Sequence, residues 1–301
     1  MSCVKPLRAY WRNAARDGIT FDVAHSATKI AFGLPCGRCI GCRMEKARQW
    51  GLRCLHEKKM WKHNAYVTLT YDNDHLPPAG TLCLRDVQLF MKKLRKAKDS
   101  NKDNPLRFFL GGEYGEDNGR PHYHALLFNC NFPDKLFWSN NKRGEPLYVS
   151  KELTGLWDMG HCSIGEVTFD SAVYCAKYAL KKVNGDNADE HYTVYDEDGV
   201  CHRRRSEFAV MSRRPGIGAT YYDKYGVEVR SHDSIIVDGN EVRPPRFYDD
   251  RTKLLDSKVY DLNKKKRKRM AVLNRSDSTP ERLRVKEKLM IIAAEKKERK
   301  L

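Results

Sequence analysis

The sequence predicts an α+β fold, because strand-like and helix-like segments alternate along its central part. Apolar residues alternate with polar ones, or form β-rich runs, at residues 65–71, 106–113 and 122–128. Between the first two runs, residues 84–97 place apolar side chains at helical spacing, with Lys and Arg opposite. The order strand, helix, strand, strand is typical of an antiparallel sheet that packs against helices.

The remaining elements are predicted from weaker patterns. Helices are expected at residues 43–63 and 150–157, and from Asp170-Ser171 to about residue 183, since Asp and Ser are good helix caps. Shorter strands or hairpins are expected at residues 161–168, 194–201, 207–211 and 234–242. Residues 1–42 are predicted to be irregular, residues 264–269 to be a charge block that is unfolded by itself, and a basic helix to begin at Thr279-Pro280.

Composition excludes several classes of protein. The 301 residues are 41% hydrophobic and 32% charged, and no apolar run approaches the ~20 residues of a membrane-spanning helix. Residues 1–10 lack the apolar stretch of a secretory signal, so a secreted precursor is not expected. The 11 Phe, 15 Tyr and 5 Trp suffice for a folded core, which argues against disorder throughout.

The net charge of +17 is concentrated at the two ends of the chain. Residues 1–60 hold 12 basic and 4 acidic side chains, and residues 251–301 hold 18 and 7, whereas the centre is nearly neutral. Basic ends favour a polyanionic partner, most simply nucleic acid. The pattern predicts a Cys-rich basic segment at 1–62, a catalytic or binding domain at 63–250 and a basic tail at 251–301.

Three of the ten cysteines follow the spacing of metal ligands. Cys36, Cys39 and Cys42 form two consecutive C-x-x-C steps separated by glycines, which favours a structural zinc site. The fourth ligand is expected to be Cys3 or Cys54. The alternatives are a glycine-rich turn that happens to hold three thiols, and an iron–sulfur cluster.

A second candidate metal site lies in the central strands. His122 and His124 alternate along one strand and therefore share a face, about 7 Å apart. A hairpin through residues 115–121 would bring Glu113 beside them. Two imidazoles and a carboxylate suit a divalent ion such as Mg²⁺ or Mn²⁺, whereas His-x-His alone is more often an ordinary exposed strand.

The helix expected after residue 170 carries the candidate nucleophiles. Tyr174, Lys177, Tyr178 and Lys181 are spaced to share one helix face. By itself, such a face is typical of a basic amphipathic helix. Next to a metal site it suggests more, because lysines favour the phenolate form of tyrosine and a bound cation polarises a phosphodiester. Tyrosine attack would then cleave a strand through a covalent intermediate.

At these residues the sequence resembles a known family. His122-Tyr123-His124 followed by Tyr174-x-x-Lys177-Tyr178-x-x-Lys181 is similar to the HUH endonucleases of the two-tyrosine, rolling-circle class. The wider chain resembles replication initiators of the gokushovirus branch of microviruses. Supporting stretches are residues 35–42, 66–70, 112–115 and 212–218.

The resemblance implies an antiparallel sheet of ferredoxin-like type with helices on one face and the His pair on a central strand. It implies metal-dependent nicking of a single-stranded viral origin that leaves a 5′-phosphotyrosine and a 3′-hydroxyl, which primes host polymerase. Tyr174 and Tyr178 would act in turn to open and reclose a unit circle, and Lys177 and Lys181 would position phosphate or assist proton transfer. Glu113 would be the third metal ligand, with Glu116 and Asp117 as competitors.

The resemblance further implies a host helicase as partner and the host bacterial cytoplasm as location. Related interpretations are a plasmid initiator, a relaxase or a transposase, and an unrelated one is a non-catalytic, zinc-dependent nucleic-acid-binding protein. Charge and aromatic content suggest DNA contacts at Arg203, Arg204, Arg205, Arg213 and Arg214, although ordinary exposed loops explain these residues equally well.

Overall fold

A computed structural model of the chain describes residues 3–115, 118–178, 182–183, 187–196 and 198–298. The strands are β1 (Leu7–Trp11), β2 (Ile19–Thr20), β3 (Phe32–Leu34), β4 (Asn64–Thr70), β5 (Arg107–Tyr114), β6 (Pro121–Phe128), β7 (Leu136–Asn140), β8 (Pro146–Val149), β9 (Cys162–Gly165), β10 (Thr193–Tyr195), β11 (Cys201–Arg203), β12 (Phe208–Met211), β13 (Ile235–Val237) and β14 (Asn240–Val242). The helices are α1 (Ile40–Lys58), α2 (Leu84–Ala97), α3 (Lys151–Trp157), α4 (Phe169–Tyr178), α5 (Asn187–Tyr192), α6 (Ala219–His232), α7 (Arg246–Leu255), α8 (Ser257–Leu273) and α9 (Pro280–Glu298).

The central feature is a seven-stranded sheet in the order β12-β5-β6-β4-β9-β8-β7. Every neighbouring pair in it is antiparallel. The strand β6 lies between β5 and β4, as the resemblance implied for the His pair. The predicted α+β class and antiparallel sheet are confirmed.

The two faces of this sheet follow from the alternation of side chains along β6. Tyr123, Ala125 and Leu127 belong to one apolar cluster. Leu126 and Phe128 belong to another on the opposite face, and His124 shares their parity along the strand. Both faces are therefore apolar enough to need a cover.

Helices cover both faces, so the expectation of helices on one face is wrong. On the first face, Phe90 and Leu94 of α2 and Trp157 of α3 pack with the strand residues. On the second face, Cys54 of α1 and Cys175 of α4 do so. The physical reason is that β5 and β6 bury side chains on both sides, as strands with near-continuous apolar runs do.

Two other expectations are also wrong. Residues 1–42, predicted to be irregular, contain a small sheet in the order β2-β1-β3. Its strands have two to five residues, too short for a recognisable alternation. Residues 264–269, predicted to be unfolded by themselves, lie within α8, where Val259 and Leu262 precede the charge block.

The chain divides into two units, residues 1–46 with 262–301, and residues 47–261. The predicted three-part division at residues 62 and 250 stays a prediction. Within the described part of the chain, no helix combines the length and apolarity that crossing a membrane requires.

Candidate metal centre and nucleophile

Strand pairing brings Glu113, His122 and His124 together. Glu113 on β5 is directly opposite His122 on β6, and Gly111 is opposite His124. Both imidazole Nε2 atoms lie 2.9 Å from Glu113 Oε1. One ligand atom from each residue falls within 4.8 Å of the other two. The hairpin predicted from sequence thus assembles a set of three potential metal ligands.

Neighbouring groups orient the two imidazoles. His122 Nδ1 lies 3.2 Å from the carbonyl oxygen of Arg120, so it can donate its proton there. His124 Nδ1 lies 2.8 Å from the hydroxyl of Tyr66 and 3.0 Å from that of Thr68, both on β4. Such contacts fix the ring so that Nε2 faces the shared site. Sequence reasoning missed this role, although Tyr66 and Thr68 alternate along a predicted strand.

Burial sets the electrostatics of this site. It lowers the pKa of His124, an effect that the carboxylate of Glu113 partly opposes. The neutral imidazole, which is the form that binds metals, is therefore favoured. Burial also raises the pKa of Tyr66 well above its ordinary value, so that hydroxyl remains protonated. The side chain of His122 is 19% exposed and gives the site an opening to solvent.

Helix α4 places Tyr174 beside His124. Its first turn is closed by reciprocal bonds, since Ser171 N donates to Thr168 Oγ1 (3.0 Å) and Thr168 N donates to Ser171 Oγ (2.8 Å). Cys175 packs on the sheet, with its thiol 3.2 Å from the carbonyl oxygen of His124. As a result, the rings of Tyr174 and His124 lie 5.3 Å apart in a T-shaped arrangement.

A glycine permits this close approach of helix and sheet. A Cβ atom built on Gly111 would lie 3.1 Å from the backbone oxygen of Cys175. That separation is tighter than most real contacts, so any larger residue would push α4 away from β5. Gly111 therefore contributes to the distance between Tyr174 and the ligand set.

The other predicted catalytic residues are described only in part. Lys177 is half-buried in the last turn of α4. Tyr178 ends that helix, and its side chain lies outside the described residues. Lys181, Glu116 and Asp117 also lie outside them, as does the helix that was expected to continue to residue 183. Glu113 is the acidic ligand that the described residues place beside the His pair.

The cysteine motif forms a separate cluster with Cys3. The sulfurs of Cys3, Cys36, Cys39 and Cys42 all lie within 4.8 Å of one another. Cys54, the alternative fourth ligand, is buried in the apolar cluster with Cys175 instead. The sequence thus identified the right set of thiols, and their role as zinc ligands stays a prediction.

An open pocket of about 560 Å³ lies on the His face of the sheet. It is lined by Thr68, Thr70, Trp138, Val149, His161, Cys162 and Ser163. Thr68 also contacts His124, so the pocket begins next to the ligand set. Trp138 of β7 is 62% exposed. The sequence pattern did not predict the β7–β8 hairpin that carries this indole.

The arginines predicted to contact DNA differ in their surroundings. Arg203, Arg205, Arg213 and Arg214 are exposed. Arg203 pairs with the carboxylate of Asp189 at 2.5 Å. Arg204 donates to the carbonyl oxygens of Ala79 (2.7 Å) and Gly119 (3.4 Å) and so holds loops of the protein itself. DNA binding by these residues stays a prediction.

A buried ion pair anchors the loop at 212–218. Arg107 Nε donates to Glu57 Oε1 at 2.5 Å, and an Arg107 terminal nitrogen donates to the carbonyl oxygen of Pro215 at 2.8 Å. The other Glu57 oxygen accepts from the backbone N–H of Gly218 at 2.6 Å. These contacts give Glu57 a structural role that the sequence did not reveal.

Comparisons with known proteins agree on one family. The family model for the ORF2-type replication-associated protein matches residues 64–183, which include the ligand set and Tyr174. The chain is 34% identical to replication-associated protein VP4 of Bdellovibrio phage phiMH2K, over 83% of this chain and 76% of that protein. It is 30% identical to replication-associated protein ORF2 of Spiroplasma virus 4, over 79% and 74% of the two chains. It is 27% identical to replication-associated protein ORF4 of Chlamydia phage 1, over 77% and 57%. No solved structure matches the chain.

Proposed function

Because this chain belongs to the family of microvirus replication-associated proteins, we propose that it starts viral replication by cutting origin DNA with a tyrosine. The cut is a transesterification of the HUH type, and it begins rolling-circle synthesis. The observation that carries the proposal is the position of Tyr174, whose ring lies 5.3 Å from that of His124 in the set Glu113, His122 and His124.

The ligand set fits a divalent cation of the Mg²⁺ or Mn²⁺ type. Two imidazole nitrogens and one carboxylate oxygen converge there, and Glu113 is only 3% exposed. A buried carboxylate needs a compensating charge, and a cation supplies it. When bound, the cation would draw charge from a phosphodiester oxygen.

The residues of this chain perform the exchange of ester bonds. The phenolic oxygen of Tyr174 attacks phosphorus, and the bond from phosphorus to the 3′-oxygen breaks. The phenolic proton passes to solvent, and the leaving 3′-oxygen takes up a proton. The products are a 5′-phosphotyrosine and a free 3′-hydroxyl. Lys177, three residues further on, favours the phenolate and steadies the phosphate.

A second tyrosine completes the cycle. Tyr178 follows Tyr174 by one helical turn in sequence, and Lys181 repeats the spacing of Lys177. After one round of synthesis, the second phenol attacks the regenerated origin. The 3′-hydroxyl released by that cut then attacks the first phosphotyrosine and closes a unit circle. No nucleotide hydrolysis is needed, because each step exchanges one phosphodiester for another.

The pocket beside the ligand set supports a single-stranded substrate. Trp138 offers an exposed indole on which an unpaired base can stack, a contact worth roughly 1–3 kcal/mol per base. Thr68, Thr70 and Ser163 supply hydroxyls along the same face. In the host bacterial cytoplasm, a host helicase would expose the strand and a host polymerase would extend the 3′-hydroxyl.

A covalent-adduct assay tests the proposal. Overlapping single-stranded oligonucleotides that cover the viral strand, labelled at their 3′ ends, are incubated with protein and Mn²⁺, and denaturing gels reveal protein-linked label. We expect an adduct that needs the cation and disappears in Tyr174→Phe/Tyr178→Phe. Tyr195→Phe is the matched control, since Tyr195 is 71% exposed and remote in sequence.

Two outcomes would overturn the proposal. One is an adduct that persists in the double variant. The other is wild-type protein that binds the origin tightly and salt-sensitively but forms no adduct with Mg²⁺ or Mn²⁺. The second outcome would favour the non-catalytic nucleic-acid-binding protein.

A further inference from the structure

The four-cysteine cluster lies outside the nuclease site and has the geometry of a single-ion centre. Cys3 Sγ lies 3.7 Å from Cys36 Sγ and 3.8 Å from Cys39 Sγ. Four thiolates about 2.3 Å from a tetrahedral zinc ion are separated by about 3.8 Å, which is the edge of that tetrahedron. A disulfide would need sulfurs about 2.05 Å apart. The observed spacing therefore fits four ligands around one ion.

Backbone contacts around the sulfurs also suit thiolate ligands. The N–H of Cys36 donates to Cys3 Sγ, and the N–H of Cys39 donates to Cys36 Sγ, each at 3.3 Å. Such bonds stabilise negative charge on sulfur. Gly37 between them has a φ of +76°, which glycine adopts without strain and which turns the chain back toward the site.

We infer that Cys3, Cys36, Cys39 and Cys42 bind one Zn²⁺ ion, independently of the proposed nuclease activity. Four sulfur ligands in tetrahedral spacing select zinc or a single iron among common metals. An iron–sulfur cluster distributes its thiolates over several irons and so spreads the sulfurs farther apart. Zinc is preferred because it needs no redox partner and is the usual ion of closed structural sites.

The ion would hold together a unit that has a small apolar core. The cluster around the cysteines includes Val4, Ile40 and Met290, so the N-terminal segment, the start of α1 and α9 meet at this point. Lys5 and Glu287 add an ion pair at 2.8 Å between the N-terminal segment and α9. Small cores of this kind commonly depend on a metal for stability. Zinc binding should therefore protect α9 as well as the cysteine motif.

Metal analysis of the purified full chain tests the inference. We expect about one equivalent of zinc per chain after dialysis, retained in His122→Ala/His124→Ala and lost in Cys36→Ser and Cys42→Ser. Cys201→Ser is the control, because Cys201 is exposed and outside the cluster. Replacement of zinc by Co²⁺ should give the absorption of a tetrahedral tetrathiolate site in wild type.

Proteolysis gives a second measurement that does not depend on the folding of variants. Removal of zinc from wild type by a strong chelator should raise the rate of tryptic cleavage within residues 280–298 about tenfold, and Zn²⁺ but not Mg²⁺ should reverse this. Wild type that contains no zinc, zinc that persists in both cysteine variants, iron with inorganic sulfide, or cleavage that is insensitive to the chelator would each overturn the inference.

Discussion

The two ligand clusters of this protein are built in different ways. Glu113, His122 and His124 lie on paired strands of a seven-stranded sheet, where register fixes their positions before any ion binds. Cys3, Cys36, Cys39 and Cys42 come from a turn and an N-terminal segment with few apolar neighbours. The first cluster belongs to a scaffold that is stable without it, whereas the second is itself a large part of the local core. Loss of a ligand should therefore impair chemistry in the first case and folding in the second.

The largest effect is expected for a change in the sheet cluster. His122→Asn should lower the rate of adduct formation by at least about 1000-fold, because it removes a ligand of the charge-stabilising cation. The thermal midpoint should shift by less than about 3 °C, since the His122 side chain is 19% exposed and β6 stays paired on both sides. A gel assay and calorimetry measure the two quantities. A large drop in the midpoint would break the proposed contrast.

The opposite pattern is expected for the cysteine cluster. Cys42→Ser should accelerate amide hydrogen exchange in residues 3–46 and 280–298 by roughly 100-fold, because the metal that orders them is lost. Exchange in β4, β5 and β6 should be unchanged. Exchange mass spectrometry resolves both regions, with Cys201→Ser as the control. Uniform acceleration across the chain, or none, would contradict the account.

A buried histidine outside both clusters provides a structural comparison for His124. Burial lowers the pKa of His56 to about 3, and its Nδ1 bonds the Tyr248 hydroxyl at 2.8 Å. The unfolded chain binds this proton near pH 6.5, so stability falls as the pH drops below that value. From pH 7 to pH 5 the loss from this residue is about 2 kcal/mol. Urea unfolding should show a smaller pH dependence in His56→Gln, and an unchanged dependence would refute this assignment.

Removal of one orienting contact should weaken the sheet cluster moderately. Tyr66→Phe deletes the hydroxyl that lies 2.8 Å from His124 Nδ1 but leaves that of Thr68 at 3.0 Å. We expect Mn²⁺ affinity, measured by calorimetric titration, to fall about tenfold, at the low end for such contacts. Tyr195→Phe should leave the affinity as it is. An unchanged affinity in Tyr66→Phe would show that Thr68 orients the ring by itself.

The smallest effect concerns the distance between helix and sheet. Gly111→Ala places a Cβ 3.1 Å from the Cys175 backbone oxygen, so α4 must shift by a few tenths of an ångström. Adduct formation should slow about fivefold, with Mn²⁺ affinity nearly constant, because Tyr174 moves while the ligands stay in place. Gly155→Ala in α3 is the control, since a Cβ there meets nothing within 4 Å. Equal rates in both variants would contradict this role for Gly111.

Local patterns predicted the parts of the site that depend on local geometry. The hairpin between β5 and β6 follows from two apolar runs and a short turn, so the position of Glu113 beside His122 and His124 was predictable. The spacing of Cys36, Cys39 and Cys42 likewise reflects one turn. The short strands and loops joined over long sequence distances were not predictable, because their pairing depends on tertiary contacts.

Several features show where sequence reasoning fails physically. The role of Tyr66 and Thr68 depends on the pairing of β4 with β6, 58 and 56 residues away from His124. The helices α6 and α7 were missed because their apolar faces are interrupted by charged and tyrosine residues. The β7 strand exposes Leu136, Phe137 and Trp138, so it lacks the usual alternation of buried and exposed residues.

The most direct test of the nuclease proposal is to identify the residue that is joined to DNA. The adduct formed with origin DNA and Mn²⁺ would be digested with nuclease and trypsin, and the modified peptide sequenced by mass spectrometry. The account predicts a nucleotide remnant on Tyr174 or Tyr178, attached through a 5′-phosphate. A remnant on any other residue, or cleavage that leaves no remnant at all, would contradict it.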